Sequence, residues 1–227
     1  MKGTIDLTSS KLMYKIIAFA SLFIWFSIKG YAEKELQKGF IITNNLDTVH
    51  GFIDYKEWDI NPALVKFYKN TQSEPVIYNP TEIYSFFVNG DLYKGGIVQK
   101  EISPIEVGEL NYYSDLKFEV DTIFLKTIFD GPKPLYYYKD NNFREYFYIE
   151  GEGERNYDLL VFKVYLKEID GTDYNYEVNK YKGQLVLYFE NCAEIQTGLE
   201  SLKYNLRTFK KLFNTYWIVV FLMTMIC

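Results

Sequence analysis

The stretch LYYYKDNNFREYFYI (Leu135–Ile149) decides how this chain is read. Two aromatic runs flank Asp140-Asn141-Asn142, and Asn and Asp turn a chain readily because they tolerate turn backbone conformations. Tyrosine and phenylalanine favour a pleated, half-buried surface. Together these signals predict a β-hairpin. Successive side chains of a strand point to opposite faces, so Tyr136 and Tyr138 share one face while Tyr137 takes the other. Likewise Tyr146 and Tyr148 share a face and Phe147 opposes them. Rings therefore cover both faces of one hairpin, where a purely solvated face would alternate with polar residues. One set is core. The other either cross-pairs between strands or meets a partner, and Tyr136, Tyr138, Tyr146 and Tyr148 are the candidate contact surface.

The same grammar extends outward. GFIIT and VHGFIDY flank Asn44-Asn45-Leu46-Asp47, and IYSFFV and LYKGGIV flank Asn89-Gly90-Asp91. Asn-Gly is the strongest short hairpin signal. DTIFLKTIF has period-two character and ends at Asp130-Gly131-Pro132. DLLVFKVYLKEI, which runs to Asp170-Gly171, fits a strand or a helix by pattern alone. Turns at such regular spacing predict a mostly β (α+β) fold: an antiparallel meander of hairpins over residues 33–175.

Beyond residue 176 the period changes. YKGQLVLYF (Tyr181–Phe189) fits alternation and helical spacing equally. After Cys192, Ile195, Leu199, Leu202, Leu206, Phe209, Phe213 and Tyr216 step by four and three residues, an apolar stripe on helical structure. Residues 176–216 are therefore expected to form a helical cap on the sheet. Residues 217–227, WIVVFLMTMIC, form an apolar tail too short to span a bilayer.

At the other end, Lys11 and Lys15 precede the uncharged run Ile16–Ile28, and Gly30 and Ala32 follow as small residues flanking Tyr31. A charged region, a short apolar run and a small-x-small site read as a secretory signal peptide over residues 1–32. As a helix the run spans only about 20 Å, short for a membrane crossing. The expected location is thus outside the cytosol, in the periplasm or at the outer membrane and cell surface. The chain carries 30 acidic against 25 basic residues. A net negative charge disfavours nucleic acid and anionic membrane surfaces as partners of the chain as a whole. A membrane is expected to be met only by proximity or through the apolar tail. Export permits a disulfide between Cys192 and Cys227, with two unpaired thiols as the alternative.

Three segments resemble an uncharacterised family of exported Bacteroidota proteins: KGFIITNNLDTVHGFIDY, DTIFLKTIFDGPKPLYYYKD and YKGQLVLYFENCAEIQ. Some members resemble this module alone, and others carry an outer-membrane β-barrel after it. The resemblance implies that YKGQLVLYF is helical and that Cys192 opens another helix. Its motifs concern turns and packing, so it identifies no chemistry.

Residues able to carry a reaction are sparse. His50 is the single histidine, and an exposed strand histidine is the simplest reading of it, although Asp47 and Asp54 lie close in sequence. No G-x-S-x-G or C-x-x-C motif occurs. Asp170, Asp173 and Asn175 offer oxygen ligands, but the loop does not follow the calcium-binding pattern. No catalytic residue, metal ligand or cofactor is assigned. The sequence thus points to a non-enzymatic binding or assembly module of the cell envelope, with an envelope protein or glycan as partner. Two alternatives are an accessory domain separated from an outer-membrane barrel, and a hydrolase acting on envelope polymers or glycans.

Overall fold

The computed structural model describes residues 35–106, 108–190 and 192–226; the expected signal peptide and Cys227 lie outside them. Among the described residues twelve strands come first: β1 (Leu36–Thr43), β2 (Thr48–Asp54), β3 (Val65–Tyr68), β4 (Val76–Tyr78), β5 (Ile83–Val88), β6 (Asp91–Glu101), β7 (Phe118–Phe129), β8 (Leu135–Lys139), β9 (Glu145–Glu150), β10 (Tyr157–Leu159), β11 (Lys163–Ile169) and β12 (Thr172–Val178). Three helices follow: α1 (Lys180–Tyr188), α2 (Ala193–Leu199) and α3 (Leu206–Ile226).

The hairpins form where the turn chemistry requires. Between β5 and β6, Asn89 and Gly90 have φ of 52° and 84°, the two left-handed positions of a tight hairpin turn. Asp170 and Gly171, at 53° and 75°, do the same between β11 and β12. Leu46 (66°) and Phe143 (59°) close the β1–β2 and β8–β9 hairpins.

Ten strands make one sheet in the order β10-β9-β8-β7-β6-β5-β1-β2-β3-β4, and every strand pair in it is antiparallel. The sheet curls. Its β10 end returns to β6, where Ile97 and Asn156 form a parallel bridge. That approach passes over Gly95 and Gly96: a Cβ on Gly96 would lie 2.4 Å from the Tyr157 ring, and one on Gly95 would lie 2.0 Å from the Pro80 carbonyl. Arg155 fastens the closure, donating to the carbonyls of Gly95, Pro80 and Ile83 and to Asn44 Oδ1.

Curling gives the sheet an inside. Val98, Ile123, Leu125, Tyr136, Tyr146, Tyr148, Tyr157 and Leu159 pack together there. The opposite face carries two cores. One gathers Ile41, Ile53, Val65, Phe67, Phe86, Tyr93 and Phe124. The other sets Leu135, Tyr137, Phe147 and Ile149 against the helices, through Tyr181, Leu185, Ile195, Leu199, Phe209 and Phe213. Phe147 stacks on Phe209 with ring centroids 4.3 Å apart, so one hairpin supplies rings to both sides, as its alternation requires.

The helical reading of YKGQLVLYF holds as α1, and Cys192 is the residue that precedes α2. The apolar stripe is divided between α2 and α3, with residues 200–205 between them. Residues 217–226 are no separate tail: α3 runs straight through them, because neither Gly nor Pro interrupts Leu206–Ile226. DLLVFKVYLKEI resolves into β10 and β11, and the segment read as an acidic loop after Asp170 is β12.

Candidate functional site

β11 and β12 do not join the ten-stranded sheet; they pair only with each other. Their register sets Tyr165 opposite Tyr176, Lys167 opposite Tyr174 and Ile169 opposite Thr172. By strand alternation these residues share one face of the ribbon. The rings of Tyr165 and Tyr176 lie 6.0 Å apart, and Lys167 Nζ stands 4.9 Å from the Tyr176 centroid. Tyr174 is 49% exposed and Ile169 39%. Glu168, Asp173, Asn175 and Glu177 occupy the opposite, acidic face.

A two-stranded ribbon is marginal alone, so something must hold it. The loop between β6 and β7, residues 102–117, does so at three points. Asn111 accepts a hydrogen bond from the Leu166 amide at 2.8 Å. Tyr112 donates to Asp173 at 2.7 Å, which raises the phenol's pKa above its ordinary value. The buried ammonium of Lys163 donates to the Asp115 carbonyl. Tyr112 and Tyr113 of this loop are themselves exposed.

The loop is pinned in turn by Glu101. This carboxylate, 1% exposed, accepts from the Ser103 amide and hydroxyl, from the Lys117 amide at 3.2 Å and from Arg144 Nη2 at 2.6 Å. Arg144 also donates to the Ser103 carbonyl at 2.7 Å. Burial pushes the Glu101 pKa up, but the hydrogen bonds from Ser103, Arg144 and Lys117 outweigh it and hold the pKa below the usual value. An acid held ionised in this way is a clamp, the wrong sense for a general acid. A hollow of about 280 Å³ opens beside it, lined by Ile105, Phe143, Arg144, Phe162, Val164 and Tyr204. Phe162 and Val164 lie at the root of the ribbon.

The sequence placed the contact surface elsewhere, and the structure corrects it. Tyr136 and Tyr148 are fully buried, Tyr146 is 4% exposed and Tyr138 is half-buried. All four belong to the cluster inside the curl, three as buried members and Tyr138 packed against them. Tyr136 donates to Glu150 at 2.7 Å and accepts from Lys94 at 3.0 Å. Tyr148 donates to the Gln99 carbonyl at 3.2 Å. Burial raises their pKa values well above that of a free phenol, and the bond to Glu150 adds to the effect at Tyr136. These rings are the inner core. Among the described residues the exposed tyrosines are Tyr112, Tyr113, Tyr174 and Tyr176. TDYNYEV (Thr172–Val178) does carry the signal, with Thr172, Tyr174, Tyr176 and Val178 alternating with polar residues, but those polar residues made it read as loop.

No protein-family model matches the chain, and neither a curated protein nor a solved structure matches it.

His50 lies on β2, exposed, with its ring edge-on to Phe40. Among the described residues no three His, Cys, Asp or Glu side chains are grouped to hold a metal ion. Cys192 is buried in the helical core; Cys227, with which export would permit a disulfide, is outside the described residues.

Both ends of the main sheet are managed differently from the ribbon. At β10, the Gln184 side chain of α1 accepts from the Val161 amide and donates to the Leu159 carbonyl, both at 2.8 Å, covering that edge. β4, the opposite edge, is only three residues long. β12 is seven residues long, exposed at all but Val178, and among the described residues pairs on one side only. An edge of that length, open and aromatic, is a template for a further strand.

Proposed function

We propose that this protein is an exported, non-enzymatic binding or assembly module of the cell envelope, and that the β11–β12 ribbon is its contact element. The observation that supports this most directly is the open edge of β12, with Tyr174 and Tyr176 beside Tyr165, Lys167 and Ile169. An extended segment of an envelope protein would add as a third strand, gaining backbone hydrogen bonds along β12. Tyrosine supplies contact area at small entropic cost and is enriched at protein interfaces. The export half of the proposal rests on the leader-like Lys11–Ala32 segment and on the resemblance to exported Bacteroidota proteins.

The test is photo-cross-linking in cells. Tyr174 is replaced by p-benzoylphenylalanine in the full chain, Leu64 is replaced in a second chain as a remote exposed control, and envelope fractions are probed after irradiation. Discrete adducts from position 174 alone, on a chain shortened by its leader, support the proposal. An unprocessed chain in the cytosol would sink the export half. Equal adducts from both positions, or none from position 174, would sink the ribbon as the contact element.

A further inference from the structure

Helix α3 carries a charge asymmetry that its own stability does not explain. Four of the chain's 25 lysines and arginines lie after Glu200, and none of its 30 acidic residues does. Three of these cations, Arg207, Lys210 and Lys211, fall in the first two turns of α3, which has no acidic residue in its first turn. The amino end of a helix is the positive end of its dipole, so cations there are unfavourable for the helix itself. They concentrate positive potential instead of cancelling it.

The open face of α3 continues this pattern into apolar residues. Arg207, Lys210, Lys211, Asn214, Thr215 and Ile218 line one surface hollow along the helix. At helical spacing Lys210, Asn214, Trp217 and Phe221 form the adjoining row. Trp217, Ile218 and Phe221 are 44%, 56% and 47% exposed. Trp217 is set edge-on against Phe129 and stacks with Phe221 at 6.4 Å. The opposite face, through Phe209, Leu212, Phe213 and Tyr216, is buried in the helical core. One exposed side thus grades from cations, through Asn and Thr, to an indole and aliphatic tip.

We propose that this face of α3 docks on an anionic phospholipid surface, Arg207, Lys210 and Lys211 meeting lipid phosphates and Trp217, Ile218 and Phe221 entering the headgroup–acyl boundary. Charge complementarity selects this occupant, because a purely apolar partner would leave the basic turns unmatched and a purely anionic one would leave the tip in water. Interfacial helices combine these two contributions, and tryptophan favours the level of the headgroups. Among the described residues no helix is long and apolar enough to cross a membrane; the docking proposed is lateral. It is independent of the ribbon.

The test uses the full chain with phosphatidylcholine vesicles, with and without phosphatidylglycerol, and with brominated lipid as a quencher of Trp217. The expected result is partition to the anionic vesicles that falls about tenfold or more in Lys210→Glu/Lys211→Glu and in raised salt. Quenching that disappears in Trp217→Phe separates α3 from any binding by the leader. Partition indifferent to the charge reversal, or no quenching assignable to Trp217, overturns the proposal. So does sedimentation showing that Ile218→Ser/Phe221→Ser dissolves a dimer while vesicle binding is unchanged, since the face would then belong to a second copy.

Discussion

Arg144 Nη2 sits 2.6 Å from Glu101 Oε2, with the two side chains 12% and 1% exposed. The pair fastens the β8–β9 turn to both ends of the 102–117 loop, and that loop holds the ribbon. Removing one partner of a buried pair leaves an uncompensated charge, which costs about 3–5 kcal/mol. Arg144→Ala is expected to lose stability on this scale in urea unfolding. Its ribbon amides should also exchange with solvent faster than global unfolding allows. A loss below about 1 kcal/mol would show that water, not Arg144, satisfies Glu101.

Tyr148 and Tyr174 give the sharpest contrast in the molecule. Tyr148 is fully buried and Tyr174 half out in solvent. Truncating a large buried ring costs about 3–5 kcal/mol, whereas exposed positions away from special features stay within about 0.5 kcal/mol. Tyr148→Ala should therefore destabilise severely, and Tyr174→Ser/Tyr176→Ser should leave the denaturation midpoint nearly unmoved. Tyr136→Phe removes only the hydroxyl between Lys94 and Glu150 and should cost about 1–2 kcal/mol.

Stability should fall at both ends of the pH scale, for opposite reasons. Glu101 has a lowered pKa in the fold, so its contribution is complete above the unfolded value of about 4.3 and is lost as pH drops through the folded one. Glu101→Gln should flatten that acid limb. Tyr136, Tyr148 and Tyr204 have raised values through burial, and Tyr181 is pushed up to about 12. Their contribution is complete below the unfolded phenol value of about 10 and drains away as pH rises past it. The phenolate absorbance at 295 nm should accordingly include a steep step that coincides with loss of the far-ultraviolet circular dichroism of the sheet.

How much of this was legible in the sequence follows from the range of each signal. Asn89-Gly90 and Asp140-Asn141-Asn142 are local instructions, and each makes the hairpin it predicts. The stripe from Ile195 to Tyr216 is also local, and every member meets the helical core. Strand alternation assigned Tyr136 and Tyr148 to one face correctly. It could not say that this face is concave, because the curl depends on Arg155 and Tyr157 reaching back to Gly95 and Gly96 some sixty residues earlier. β12 was missed for a different reason. Asp173, Asn175 and Glu177 are turn-like by type, and only their alternation with Tyr174 and Tyr176 marks a strand. Helix α3 was cut short because its last turns are apolar all round, which obscures the amphipathic period.

Gly95 is where the packing of the 80–83 segment and Arg155 against β6 can be tested. A Cβ there would stand 2.0 Å from the Pro80 carbonyl and 2.8 Å from Arg155 Nη2. The first neighbour is backbone and cannot swing aside, so Gly95→Ala must displace the 80–83 segment or the Arg155 bonds that hold β10 to β6. Overpacking of this kind costs about 1–3 kcal/mol. Gly183 supplies the control of opposite sign: it lies within α1, exposed, with nothing within 4 Å of an added Cβ. Gly183→Ala should stabilise by about 0.5–1 kcal/mol through helix propensity alone. Paired urea curves that move in opposite directions would establish that glycine is demanded by close packing at position 95 and merely tolerated at 183; curves that move together would mean that the Pro80 carbonyl does not lie against Gly95 in solution.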